Sequence, residues 1–375
     1  MSSRDERQVP SPDAPLMAFI ANLGVAPKGE RYDREYLVKS KDKEYKRTEF
    51  NDFIYSSNNL DVGSIGLNKY GRAVISDVYE IFTVKDDYAP EFISELVQRP
   101  RNLHKVLRFR QGCLYGQYRI YASDFLNVKL LAPDKEEQFK IAGFLHQIDS
   151  RITAQRKLVE LLKKHKRGLS NGIFSGKIRL VKSGEWRTYR LAELVRRVTR
   201  KNGKTSDVPL TISAQYGLID QREFFSKSVA SADMSGYYLL KRGEFAYNRS
   251  SSGEYPFGSI KRLERYAQGA VSTLYLCFEA KGDEDDAAFL KWYFDSFAWH
   301  REVGMICAEG ARNHGLLNVP TDGFFDTRHR LPSDKTERRA IASLMSLAEA
   351  QCVCAEAELT RLTELKSGML QQMFV

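Results

Sequence analysis

The chain has 375 residues, with 58 Lys and Arg against 48 Asp and Glu, a formal net charge of +10. With 42% hydrophobic and 11% aromatic residues it reads as folded rather than disordered, and long enough for more than one core. No run approaches 18 consecutive apolar residues, the opening MSSRDERQVPSPDAP has no apolar leader core, and five cysteines make no disulfide framework. A reducing, cytoplasmic setting is therefore expected. The positive excess points to a polyanionic partner, most simply nucleic acid.

The first globular segment, residues 1–131, mixes short aromatic and β-branched runs such as FIYSS, GSIGL and VISDVYEIFTV with glycine turns. These predict strands. PEFISELVQRPRNLHKVL, Pro90 to Leu107, predicts a helix broken at Pro100. Residues 132–178 follow as a helical segment opening at Pro133-Asp134. Residues 179–329 form a second globular segment, with the strand-like run GAVSTLYLCF and a helix expected from Ala287 to Gly304. Residues 330–375 close the chain as a second helical segment.

The chain is written twice. From Ile141 against Ile341 onward a constant offset of 200 pairs Asp149 with Glu349, Leu162 with Leu362, Lys166 with Lys366 and Phe174 with Phe374. Upstream, Phe53-Ile54-Tyr55 matches Phe245-Ala246-Tyr247, and Gly63-Ser64-Ile65 matches Gly258-Ser259-Ile260. Arg34-Glu35-Tyr36 resembles Arg222-Glu223-Phe224, and Pro15-Leu16 aligns with Pro209-Leu210. Residues 184–208 have no matching run before Pro15, so the first copy lacks the opening element of the second.

Both helical segments start with Asp-x-x-Glu after a proline, Asp134 with Glu137 and Asp334 with Glu337, the pattern of a capping box. Apolar residues then recur at spacings of 4 and 3. The first set is Ile141, Leu145, Ile148, Ile152, Val159, Leu162 and Leu169. The second is Ile341, Met345, Cys352, Leu359, Leu362 and Met369. A 3.5-residue period over more than four heptads predicts a coiled coil. Two such helices in one chain predict an antiparallel pair, with a spacer of roughly 33 residues or about 50 Å. The fold class expected is α+β: two mixed α/β domains separated by two long helices, with an internal pseudo-two-fold repeat.

Catalytic signatures are absent. There is no phosphate-binding GxxxxGK[ST], no GxGxxG, and no Pro-Pro pair of the kind found in amino-methyltransferase motifs. Cys352-x-Cys354 lies on the apolar helix stripe, and the six histidines form no ligand spacing. Side chains suited to DNA instead gather in the strand–turn stretches. YNRSSSGEYPFGSIKRL brings Tyr247, Asn248, Arg249, Lys261 and Arg262, and GARNHGLLN adds Arg312 and Asn313. In the first copy the candidates are Tyr55, Ser56, Asn58, Lys69, Arg110 and Arg119. Asn and Arg read adenine and guanine bidentately, while Lys and Ser reach phosphates.

With Glu137-Gln138-Phe139-Lys140-Ile141 after Pro133, and the run through Trp186, Ser213 to Leu218, Tyr247-Asn248-Arg249 and Ser272 to Tyr275, the chain resembles the specificity (S) subunit of a Type I restriction–modification system. The likeness runs over about residues 15–375. The second helix departs from the pattern with Glu337-Arg338, and the short N-terminal opening departs too. The resemblance implies a subunit without catalysis or cofactor of its own. It would bind double-stranded DNA at a bipartite site and dock methyltransferase (M) subunits, two in number, and restriction (R) subunits. No membrane role is implied. The alternative is a coiled-coil adaptor that binds protein only. Half of the net charge falls on the first helical segment: residues 132–177 hold ten basic and five acidic side chains.

Overall fold

The computed structural model describes all residues except 21–23, 28–42, 59, 61–63, 115–116, 182–183, 214–215, 225–230, 232, 254, 308–314, 316 and 375. Arg34-Glu35-Tyr36, Gly63, Arg312 and Asn313 therefore lie outside the described residues. Contacts divide the chain into two units, 1–154 with 359–375, and 155–358. Each unit holds one α/β domain and half of each long helix.

In the first unit a four-stranded antiparallel sheet has Phe53–Ser56 between Tyr79–Thr83 and Ile65–Leu67, with Ser2–Ser3 on the outer edge of Tyr79–Thr83. All four residues of Phe53–Ser56 are buried, because both sheet faces are covered. Phe53, Tyr55, Phe82 and Phe125 form one aromatic core, with Tyr55 and Phe125 ring centroids 4.7 Å apart. Helices Pro90–Gln98 and Pro100–Leu107 pack on it, divided at Pro100 as expected.

The second unit repeats the plan. Its sheet runs Val195–Val198, Leu276–Ala280, Phe245–Asn248, Ser259–Arg262 in the same order. Phe245 pairs with Phe278 in register, their rings stacked at 5.4 Å. The parallel bridge Leu16–Val74 in one unit recurs as Pro209–Ala270 in the other. The equivalence resolves the front of the first copy: Ser2–Ser3 takes the sheet edge that Val195–Val198 takes in the second. Only the second copy, among the described residues, carries the further strand Trp186–Arg190 paired with Arg328–Pro332. The helix expected from Ala287 to Gly304 is two, Glu284–Asp295 and His300–Ile306. The Ser296 hydroxyl ends the first by donating to the Tyr293 carbonyl at 2.5 Å.

The long helices are Lys135–Phe174 and Lys335–Met373, 40 and 39 residues rather than roughly 33. Asp134 caps the first by accepting from the Glu137 amide at 2.9 Å, and Asp334 accepts from the Thr336 amide at 2.8 Å. The reciprocal half of the second capping box is replaced. Glu337 is fully buried and instead binds Arg179 at 3.0 Å and the Trp186 indole N–H at 3.3 Å. Gly176, at φ +78°, follows the first helix in the left-handed region that glycine adopts without strain.

The apolar stripe is the one the spacing predicts. Leu145, Ile148, Ile152, Val159, Ile341, Met345, Cys352 and Leu362 are buried, while Ile141, Leu162, Leu169, Leu359 and Met369 are partly so. By length and mean hydropathy Lys335–Met373 would also pass for a membrane span. Its stripe is instead committed to helix and domain packing: Ile341 and Met345 to the second unit's core, Leu362 to Ile148 and Ile152. Cys352 is a core residue, and no metal-holding cluster exists among the described residues.

Two lysines break the stripe at equivalent heptad positions. Lys366 binds Asp149 at 2.7 and 2.9 Å in the first unit, and Lys166 binds Glu349 in the second. The same ion pair, written twice at an offset of 200, ties one helix to the other in antiparallel sense. Gln155 adds a 2.8 Å hydrogen bond to the Ala355 carbonyl. Polar groups at such positions fix register at some cost in stability. Asp149→Lys with Glu349→Lys should lower stability by about 1–2 kcal/mol over both half-exposed sites. Adding Lys166→Glu and Lys366→Glu should restore it in thermal unfolding. No loss in the double variant, or no recovery in the quadruple, would show that these pairs do not set the register.

Candidate nucleic-acid interface

A polar cleft lies beside the end of the central strand in the first unit, and a polar groove lies against the first long helix in the second. In the first unit the cleft encloses about 390 Å³, lined by Arg7, Lys46, Ser57, Asn58, Asp77, Val78 and Arg119. Lys46 is anchored, donating to Glu80 at 2.8 Å and to the Tyr79 carbonyl at 2.9 Å. Arg119 is about half exposed, 3.6 Å from Glu80, with its guanidinium 4.8 Å from the centre of the Tyr121 ring. Arg7, also about half exposed, pairs with Asp77 at 2.9 Å. The backbone places Arg119 here: the Ile120 amide donates to the Ser57 carbonyl at 3.1 Å, drawing the hairpin Gln111–Leu114 and Gln117–Arg119 against the strand end. An arginine fork beside a half-buried asparagine amide suits a base edge or a phosphate.

Of the sequence candidates in this unit, Asn58 and Arg119 are brought together. Tyr55 is not on the surface. It is fully buried, and its hydroxyl donates to the Ile120 carbonyl at 3.1 Å. Ser56 is buried beside it. Lys69 stands elsewhere, paired with Glu91 and donating to Asn51 at 2.7 Å. Arg110 lies over the Tyr118 ring at 5.5 Å. Arg7, Lys46 and Ser57 were missed. The N-terminus held no recognisable element, so nothing in sequence linked Arg7 to a strand end 50 residues later.

In the second unit a groove of about 470 Å³ runs between the first long helix and the domain. The helix contributes Lys163, Lys166, Arg167 and Asn171; the domain contributes Lys261, Lys291, Trp292, Tyr216, Tyr255 and Phe297. Lys291 sits 3.7 Å from the centre of the Trp292 ring, a cation–π contact, and Trp292 is fixed by its 3.1 Å bond to Ser346. Tyr216 is 64% and Phe297 50% exposed. The Tyr216 amide donates to the Ser213 hydroxyl at 3.2 Å, and Gly217 follows at φ +76°. Six cationic and three acidic side chains line the groove; five of the cations are ion-paired, and Arg167 has no carboxylate within ion-pair distance among the described residues.

The second-unit candidates divide. Lys261 and Arg262 line the groove, yet Lys261 is held by Asp295 at 2.6 Å and Arg262 by Glu284 at 2.6 Å. Arg249 braces the fold, donating to the Val319 carbonyl at 3.2 Å and the Leu274 carbonyl at 2.9 Å. Asn248 accepts from the Ser250 amide at 3.0 Å and shapes its own turn. Gly258, before the paired strand, lies close against Asn248: a Cβ there would lie 2.1 Å from the Asn248 carbonyl oxygen. Tyr247 is fully buried, donating to the Phe257 carbonyl at 2.7 Å and stacked on Phe324 at 5.0 Å. A base-contact role for Tyr55 and Tyr247 is thus withdrawn. Aromatics in a strand that is buried on both faces pack inward. The Leu317 amide donates to the Arg249 carbonyl at 2.8 Å, as Ile120 does to Ser57, while Arg312 and Asn313 lie outside the described residues.

Two α/β domains built on one plan, each joined to an antiparallel helix pair, define the fold class. The chain is similar over its whole length to the Type I restriction–modification S subunit of M. genitalium, at 13% identity, covering 93% of that chain with a TM-score of 0.57. It is also similar to a chain from a structure describing complex assembly and conformational transition of the type I R-M system, at 13% identity over 88% of this chain and 83% of that one, TM-score 0.51. No protein-family model matches. No curated relative matches either. The fold is therefore that of the S subunits, at a sequence identity of 13%.

Proposed function

We propose that the chain is the DNA-specificity subunit of a cytoplasmic Type I restriction–modification complex, without catalytic chemistry of its own. The observation that carries the reading is the duplication: two copies of one α/β plan, each with a polar, cationic cleft, and one helix pair tied by the same ion pair twice. A protein reading two half-sites needs such a repeat. An enzyme with one active centre does not. In this reading each domain reads one half-site of double-stranded DNA, Asn58 and Arg119 among the first domain's contacts. The helices set the unread gap and dock two M subunits, with R subunits joining the larger complex.

Long-read mapping of methylated adenines in cells that carry the chain with its M partner, and in cells that lack it, tests the proposal. A split motif that disappears with the chain is expected. Arg119→Ala should relax one position of one half-site, at about 1–3 kcal/mol of discrimination. Uniform weakening across sequences would make Arg119 a phosphate contact. A complex that assembles but has no sequence preference would leave only the protein adaptor.

A further inference from the structure

On the outer face of the first long helix the pseudo-symmetry fails. Arg156, Lys157, Lys164 and Arg167 are all exposed, and none lies within ion-pair distance of a carboxylate among the described residues. At 3.6 residues per turn they fall within an arc of roughly 100°, along about 17 Å of helix. Glu160 is the one acidic side chain in that arc. Their counterparts in the second long helix, at the offset of 200, are Glu356, Ala357, Glu364 and Ser367. The apolar stripe and the Lys–carboxylate lock are kept in both copies, whereas this cationic row belongs to one. The helix pairing does not require it.

The row adjoins the second unit's groove, and Arg167 belongs to both. The inner cations of the same helix are spoken for: Lys163 pairs with Glu356 at 2.6 Å and Lys166 with Glu349. The outer four are thus surplus positive charge on one helix, next to a groove whose own cations, Arg167 apart, are ion-paired. A row of unpaired Lys and Arg along one helix face matches a line of phosphates, and carries no base-reading geometry. We propose that Arg156, Lys157, Lys164 and Arg167 form a phosphate rail. It would grip the duplex backbone beside the half-site read by the second unit and leave the second long helix off the DNA. This rests on the reading that the chain binds DNA.

The test uses the full chain assembled with its M partner, bound to a duplex carrying its mapped methylation site and to a scrambled duplex, across a salt series. The variant is Arg156→Gln, Lys157→Gln, Lys164→Gln and Arg167→Gln together. Its slope of log affinity against log salt should be shallower by about 3–4 on both duplexes, at about 0.9 per phosphate contact. The preference for the target duplex should stay as in wild type. An unchanged slope overturns the rail. So does loss of M-subunit assembly at an unchanged slope, which would make the row a protein-docking face. A wild-type complex without target preference would instead overturn the specificity reading, and the slope comparison on scrambled duplex would still decide the rail.

Discussion

Tyr247→Ala should destabilise the second unit by about 3–5 kcal/mol, the cost of emptying a large aromatic from a closed core. The ring is fully buried between Phe324 at 5.0 Å and Trp299 at 5.6 Å, in a cluster that also holds Phe245 and Phe278. Tyr247→Phe keeps the ring and removes only the hydroxyl. It should cost about 1–3 kcal/mol, because the Phe257 carbonyl loses its 2.7 Å donor. Burial already pushes the Tyr247 hydroxyl well above the ordinary phenol range, so it stays a neutral donor at any working pH. Denaturant unfolding of the three proteins measures both steps. Folded Tyr247→Phe should keep wild-type DNA preference. A stable Tyr247→Ala with altered preference would return the residue to the DNA surface.

Stability of the second unit should fall as pH drops from about 6.5 to about 4, by an amount on the order of 3 kcal/mol, through His329. The Thr327 hydroxyl donates to the Phe324 carbonyl at 2.6 Å, so toward His329 it must accept. His329 Nε2 therefore carries the proton and donates to it at 2.8 Å, while Nδ1 accepts from the Tyr293 hydroxyl at 2.7 Å. Every polar side-chain atom of this Tyr293–His329–Thr327 relay is satisfied with a neutral imidazole. Burial pushes the His329 pKa down from 6.5 to about 4. The sign follows: the unfolded chain takes up a proton below 6.5 and the folded one does not until about 4, so the stabilisation present above 6.5 is lost across that window. His300, also pushed to about 4 by burial, adds in the same direction. Asp220 and Asp283, held below their ordinary 3.8, lose their contributions only at lower pH. His329→Gln should flatten the profile between pH 6.5 and 4, measured as the urea midpoint. An equally steep profile in that variant would assign the loss to other groups.

Helix pairing was legible in the sequence because its signal is local. A 4–3 spacing over 40 residues names the buried stripe residue by residue, and a repeat at an offset of 200 shows that the stripe occurs twice. The Asp caps were legible for the same reason. The strand tips were not. FIYS and FAYN look like half-buried strands with outward tyrosines, yet helices and loops from far along the chain cover both faces. Hence Tyr55 and Tyr247 went inward.

By itself the sequence determined the duplicated α+β plan, the two long helices, their apolar seam and the lack of a catalytic motif. All of these rest on residues close in sequence or on exact repetition. Only the tertiary structure decided which cations are available. Lys261, Arg262 and Arg249 are drawn onto Asp295, Glu284 and backbone carbonyls that lie 22 to 70 residues away. Arg7 and Arg119 meet across one cleft although 112 positions separate them. The physical reason is that a charge has no periodicity to announce its partner. Its pairing is set by the fold that brings the opposite charge within reach, and the row of Arg156, Lys157, Lys164 and Arg167 on the first helix emerges only once other cations are paired.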